Sequence, residues 1–200
     1  MEKLKILFVF AFTSIFSVSV QSQKISFDRI ERDNIRHIGA EKLEMKVDGA
    51  TYDFSLTVFS GQRYKDYCLL ISSIWRIEDN CIMMVKLGNE EIVKLVANNV
   101  NVGQLDYPKY EPIIGGSNVS GLMSTQKVDY YVSIYSLGDN LLNKIEQYGI
   151  IKIRIAFFNT YHEKNWNNDK LGKFIKKSHI RLEEQLKKPH ISTKSIENGF

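Results

Sequence analysis

The clearest signal in the chain is a strict alternation of apolar and polar positions. In Tyr52-Asp53-Phe54-Ser55-Leu56-Thr57-Val58-Phe59, Tyr52, Phe54, Leu56 and Val58 fall on one side of an extended backbone, and Asp53, Ser55 and Thr57 on the other. A period of two over this length predicts a half-buried strand. Asp48-Gly49 just upstream is a two-residue turn signal. It predicts a hairpin back to residues 43–47, within a weaker strand candidate over 35–47. Residues 67–75 are mostly apolar and rich in Leu and Ile, as suits a central strand. Residues 81–87 and 91–97 flank Gly88-Asn89-Glu90 and predict a tight hairpin. A turn near Glu78-Asp79 would fold 67–75 against 81–87 as another.

Two stretches lack a period. Residues 24–34 are polar and mixed and read as an irregular lead-in. Residues 98–126 hold Gly103, Pro108, Pro112, Gly115, Gly116 and Gly121 with isolated apolar positions, and read as a long loop. Alternation resumes at Val128, Tyr130, Val132 and Ile134. A short helix follows, with Asp139 as its N-terminal cap, Leu141, Leu142, Ile145 and Tyr148 as its apolar stripe and Gly149 as its left-handed stop. Ile151, Ile153, Ile155 and Phe157 mark another strand, with Lys152 and Arg154 on its opposite face. A final helix begins at an Asn167 or Asn168 cap and ends near Lys187-Lys188, with Pro189 beyond. Leu171, Phe174, Ile175, Ser178, Leu182 and Leu186 form its apolar stripe.

The fold class this predicts is α+β. It comprises a largely antiparallel sheet of about six or seven strands, with the short helix and the longer C-terminal helix packed on one face. The first 22 residues stand outside that fold: Lys3 and Lys5 precede an apolar run from Ile6 to about Val20, and polar Gln21-Ser22-Gln23-Lys24 follows. This is the order of a secretory signal peptide, cut after Ser22. The run is shorter than the roughly 20 residues needed to span a bilayer, so no transmembrane segment is expected after processing. The domain then covers residues 23–188, with a loose tail over 189–200.

Composition agrees with a packed domain, since 44% of the 200 residues are hydrophobic and 12% aromatic. Loss of Lys3, Lys5 and Glu2 with the signal lowers the formal net charge from +4 to +3. That balance gives no case for nucleic acid as a partner. Cys68 and Cys81 are an even pair in an exported chain, but the hairpin expected between them sets them out of register, so they are read as two buried thiols.

The catalytic motifs that start in this chain do not finish. Gly116-Ser117-Asn118-Val119-Ser120-Gly121 has phosphate-loop glycine spacing, but Leu122-Met123 stand where Lys and a hydroxyl residue are required. His162-Glu163-Lys164-Asn165-Trp166 opens like a zinc-protease helix, with Trp166 in the place of the second His. The spacing therefore implies no metal site and no cofactor. Asn118-Val119-Ser120 matches a glycosylation acceptor. Of the histidines, His190 lies in the tail and His179 at the border of the last helix's apolar stripe, as a packed imidazole would. His162 is the candidate acid or base, with Glu163 beside it, in a strand-to-helix connection that also carries Tyr161 and Trp166 as binding candidates.

A signal segment, a strand-rich body, Ile150-Ile151-Lys152-Ile153-Arg154-Ile155 and Lys170-Leu171-Gly172-Lys173-Phe174 together resemble small exported bacterial proteins of uncharacterised function. The resemblance covers mainly residues 127–182. It implies a periplasmic or secreted location in a Gram-negative envelope, and no activity. The sequence favours an exported, non-catalytic binding or interaction module, whose partner is a protein or small ligand of the envelope. Two alternatives are an envelope hydrolase built around His162 and Glu163, and a surface-associated protein using its basic C-terminal helix.

Overall fold

A computed structural model describes residues 23–31, 34–115, 118–156 and 160–190. The signal segment, Phe157 and the tail beyond His190 lie outside these. Among the described residues, eleven strands and two helices run in the order β1 (Ile25–Ile30), β2 (Arg36–Ala40), β3 (Leu43–Val47), β4 (Ala50–Ser60), β5 (Lys65–Ser73), β6 (Ile82–Leu87), β7 (Ile92–Val96), β8 (Asn99–Gly115), β9 (Asn118–Ser136), α1 (Gly138–Tyr148), β10 (Ile150–Ala156), β11 (Tyr161–Asn165) and α2 (Lys170–Leu186). The protein is therefore mostly sheet, and the α+β expectation holds in that coarser form: an antiparallel sheet of the expected size and two helices, one C-terminal.

The strands form two sheets where one was expected. Seven make a sheet of order β1-β2-β4-β5-β9-β8, with β3 on β4, and four make a second sheet of order β11-β10-β6-β7. β2 pairs with the end of β4 and β3 with its beginning, so the 35–47 candidate is two short strands lying end to end along one edge. The β3–β4 turn matches its sequence signal: Asp48 and Gly49 both have positive φ (51° and 82°), as a type I′ turn demands. The 24–34 lead-in contains β1, an edge strand that pairs with β2. The expected β5–β6 hairpin does not form, because residues 74–81 carry the chain from the first sheet to the second.

The largest correction concerns residues 98–126. Apart from residues 116–117, which lie outside the described ones, they are not a loop but most of a long hairpin, in register from Asn99↔Ile134 to Gly115↔Asn118. β5 pairs with β9 only from Ser73↔Tyr131 to Cys68↔Ser136. From Gly103↔Tyr130 outward the two strands therefore bond only to each other, as a ribbon about 40 Å long at 3.3 Å per residue. Residues 101–106, 109 and 125–127 are exposed, so no buried face imposes a period of two on them, and proline is tolerated in an edge strand such as β8.

The apolar faces of both sheets and both helices meet in one core. Tyr52, Phe54, Leu56 and Val58 from β4, Leu69 and Ile71 from β5, Met83 and Val85 from β6, and Ile153 and Ile155 from β10 pack with Leu142 and Ile145 of α1 and Leu171, Phe174, Ile175 and Leu182 of α2. The expected stripe of α2 is thus covered, and Ile180 on its far side is exposed. α1 begins one residue before Asp139, with Leu137 at its N-cap position and no side-chain cap, so Asp139 lies in its first turn; the cap of α2 is Asp169, not Asn167 or Asn168. Its Oδ1 accepts from the Gly172 N–H (2.8 Å) and from the Ile150 N–H (2.9 Å), tying the start of α2 to the start of β10. A Cβ at Gly149 or Gly172 would come within 2.5 Å of that carboxylate, so both positions require the smallest residue.

Candidate functional site

Residues 161–165 form β11, not the irregular connection expected, and this decides where the candidate residues go. Successive side chains on a strand leave on opposite faces. His162 turns inward: its Nδ1 is 2.7 Å from the Tyr52 hydroxyl, and its ring meets the Tyr52 and Trp75 rings edge-on with centroids 6.0 and 5.5 Å away. Glu163 turns outward to Lys152 and Arg154 of β10. The imidazole and the carboxylate therefore do not converge on one reacting atom. Burial pushes the Tyr52 phenol well above its usual range, so it remains a neutral hydroxyl beside the imidazole.

Tyr161 shares the outer face with Glu163, and the Arg154 guanidinium lies over its ring at 4.2 Å. Trp166 has left the strand, its N–H donating to the Ile151 carbonyl (2.8 Å). It packs partly against the core and lines a groove with Lys170, Lys173 and Lys177 of α2. The four candidates thus go to three places.

The other histidines pack as structural groups. His37 is buried, stacked on Phe59 at 3.9 Å, with Phe27 edge-on. His179 joins the helices through Glu146 Oε1 (2.6 Å) and meets the Tyr67 ring edge-on. His190 Nε2 lies 4.0 Å from Asp28. Among the described residues, no group of three or more His, Cys, Asp or Glu could hold a metal ion. No helix among them is long and apolar enough to cross a membrane.

The outer face of the four-stranded sheet has a composition that no single strand announces. Asn165, Lys152, Lys86 and Ile92 stand in one cross-strand row, and Glu163, Arg154, Met84 and Lys94 in the next. Tyr161 and Val96 belong to the same face. Ile92 is 62% exposed, Tyr161 47%, Val96 46% and Met84 37%, a set of apolar side chains open to water among four cations. Met84, Lys86, Ile92, Lys152 and Arg154 enclose a concavity of about 330 Å³.

The electrostatics of this face are unbalanced. Glu163 accepts from Lys152 Nζ (2.9 Å) through Oε1, and from Arg154 Nε (2.9 Å) and Nη2 (2.7 Å) through Oε2. Those two cations, Lys152 first, hold the Glu163 carboxyl below its usual range. Lys86 pairs with Glu90 of the β6–β7 turn. Lys94 has no ion-pair partner among the described residues. One sequence signal was available, the Lys152 and Arg154 alternation in β10. The register that sets them beside Lys86 and Met84 was not.

Comparison with protein-family models, with curated proteins and with solved structures returned no match. The functional reading therefore rests on this chain's own residues.

Proposed function

We propose that the protein is an exported, non-catalytic binding module, and that the outer face of β11-β10-β6-β7 is its binding surface. The observation that carries this reading is the exposure of Met84, Ile92, Val96 and Tyr161 among Lys86, Lys94, Lys152 and Arg154 on one face of the sheet. A purely solvating face has no use for that much apolar area, and clustered apolar exposure rimmed by charge marks interaction sites. The hydrolase alternative gains nothing from His162 and Glu163, which diverge. The basic-helix alternative keeps a groove of Lys170, Lys173 and Lys177 beside Trp166, but the apolar stripe of that helix is spent on the core.

A thermal-shift screen of metabolite-sized ligands tests the surface. Ligands that raise Tm for the wild type and not for Lys86→Glu/Arg154→Glu are expected. Ligands that shift both proteins equally would move the site elsewhere. Export and envelope location are tested by intact mass on protein from the native host, which should begin near Gln23; a chain retaining residues 1–22 would overturn export.

A further inference from the structure

We infer that this face takes an anionic amphiphile, its acid group held by Lys86, Lys152 and Arg154 and its apolar part laid on Met84 and Ile92, and that Glu163 competes with the acid group for Lys152 and Arg154. The inference rests on the binding surface proposed above and adds the class of ligand.

Three observations carry it. The first is a broken rule of sheet pairing. Lys152 and Lys86 are directly opposite each other on adjacent strands, and Arg154 is the diagonal neighbour of Lys86. Like charges facing across an antiparallel pair destabilise it, and the three cations are answered by only two carboxylates, Glu163 for Lys152 and Arg154 and Glu90 for Lys86, which leaves an excess of positive charge that folding does not need. Local rules broken in this way mark functional positions.

The second observation is the kind of answer the chain already supplies. A single carboxylate, Glu163, reaches across from the edge strand and takes one oxygen to Lys152 and the other to both Arg154 nitrogens. This is the geometry by which a guanidinium and an ammonium hold any carboxylate or phosphate. Glu163 is partly exposed and attached to the outermost strand of the sheet, so its side chain can rotate off the pair when another anion arrives.

The third observation selects an amphiphile over a simple ion. Ile92 faces Lys86 across β6–β7, and Met84 stands two residues from Lys86 on the same face, so the cations share their concavity with two exposed apolar side chains. An inorganic anion would leave those side chains in water, whereas an alkyl chain would cover them. About 330 Å³ is at the small end of ligand sites, enough for one acid group and a short chain. A nucleic-acid strand fits poorly, because Tyr161, an aromatic residue of this face, already has its ring covered by Arg154.

The test is calorimetric titration with octyl phosphate, inorganic phosphate and octyl glucoside, each below its micelle concentration, at fixed ionic strength. Octyl phosphate should bind one to one, and roughly tenfold or more tightly than either other probe, each of which lacks one half of the recognition. Glu163→Gln should tighten octyl phosphate binding several-fold, a result that misfolding cannot produce. Lys86→Gln/Arg154→Gln should weaken it about tenfold with an unchanged melt. Unchanged or weaker binding by Glu163→Gln overturns the competition, and inorganic phosphate binding as tightly as octyl phosphate overturns the amphiphile. Octyl glucoside binding this face as tightly overturns the acid group while leaving the binding surface in place. Silence from all three probes overturns the inference, and the thermal-shift screen then decides separately whether the surface binds anything else.

Discussion

The Tyr52 hydroxyl and His162 Nδ1 lie 2.7 Å apart, and this contact joins β4 of the large sheet to β11 of the small one. Tyr52 is fully buried, so its hydroxyl needs a partner inside the protein. His162 supplies it from the edge strand, with the Trp75 ring edge-on beside it. A histidine that looks catalytic in the linear sequence is thus a fastening between two layers.

Replacing Tyr52 by Phe should show this. The ring stays packed, the hydrogen bond is lost and the imidazole loses its phenol. Stability should fall by about 1–3 kcal/mol, the usual cost of breaking one partner of a buried pair. Chemical denaturation checks it, and a change below about 0.5 kcal/mol would remove the fastening role.

The covered stripe of α2 makes a second prediction. Phe174 is buried against the sheets, whereas Lys176 and Lys177 are exposed. Phe174→Ala should cost about 3–5 kcal/mol. Lys176→Glu/Lys177→Glu should change stability by no more than about 0.5 kcal/mol. An unchanged melt for Phe174→Ala would show that the stripe is not covered.

His37 predicts a pH dependence. Burial lowers its pKa below the ordinary 6.5, with Glu31 opposing the shift and Arg29 adding to it, and its Nε2 is buried without a partner among the described residues. The folded state therefore prefers the neutral ring. Once the pH drops below 6.5, the unfolded chain binds the proton that the folded one resists, so stability should fall. Asp28 and Glu163, whose pKa values are lowered by Arg36 and by Lys152 with Arg154, act at lower pH in the same direction: their contribution is lost as they protonate below the usual carboxylate range. Melts of wild type and His37→Phe between pH 7 and about 5 should show a shallower slope for the variant. Equal slopes would remove His37 as the cause.

The cysteines supply the last prediction. Both are free and buried, Cys68 within β5 of one sheet and Cys81 at the entry to β6 of the other. Burial, reinforced by Asp66, pushes the Cys68 thiol up to about 12. Burial also raises Cys81, whose Sγ lies 2.8 Å from the Ala156 carbonyl oxygen. Neither should react with a thiol reagent in the native protein at pH 7, and both should react after denaturation without reductant. A thiol that reacts only after reduction would reveal a disulfide. The hairpin register expected from the sequence was the wrong reason for this outcome; what separates the two residues is that they belong to different sheets.

Elements whose signals are local were legible from the residues alone. The alternation in β4, the Asp48-Gly49 turn, the β6–β7 hairpin, the Gly149 stop and the α2 stripe each follow from a period or a backbone preference spanning a few residues. Features that depend on partners far along the chain emerge with the fold. Residues 99–115 are extended because β9, farther along the chain, pairs with them. Asp169 caps α2 through the Gly172 amide and also takes the Ile150 amide, a second bond that only the packing of β10 against α2 reveals. His162 and Glu163 part company because β10 makes their segment a strand. Lys86, Lys94, Lys152 and Arg154 become one surface only through the register of three strands, because charge is a property of the residue and its neighbourhood a property of the pairing.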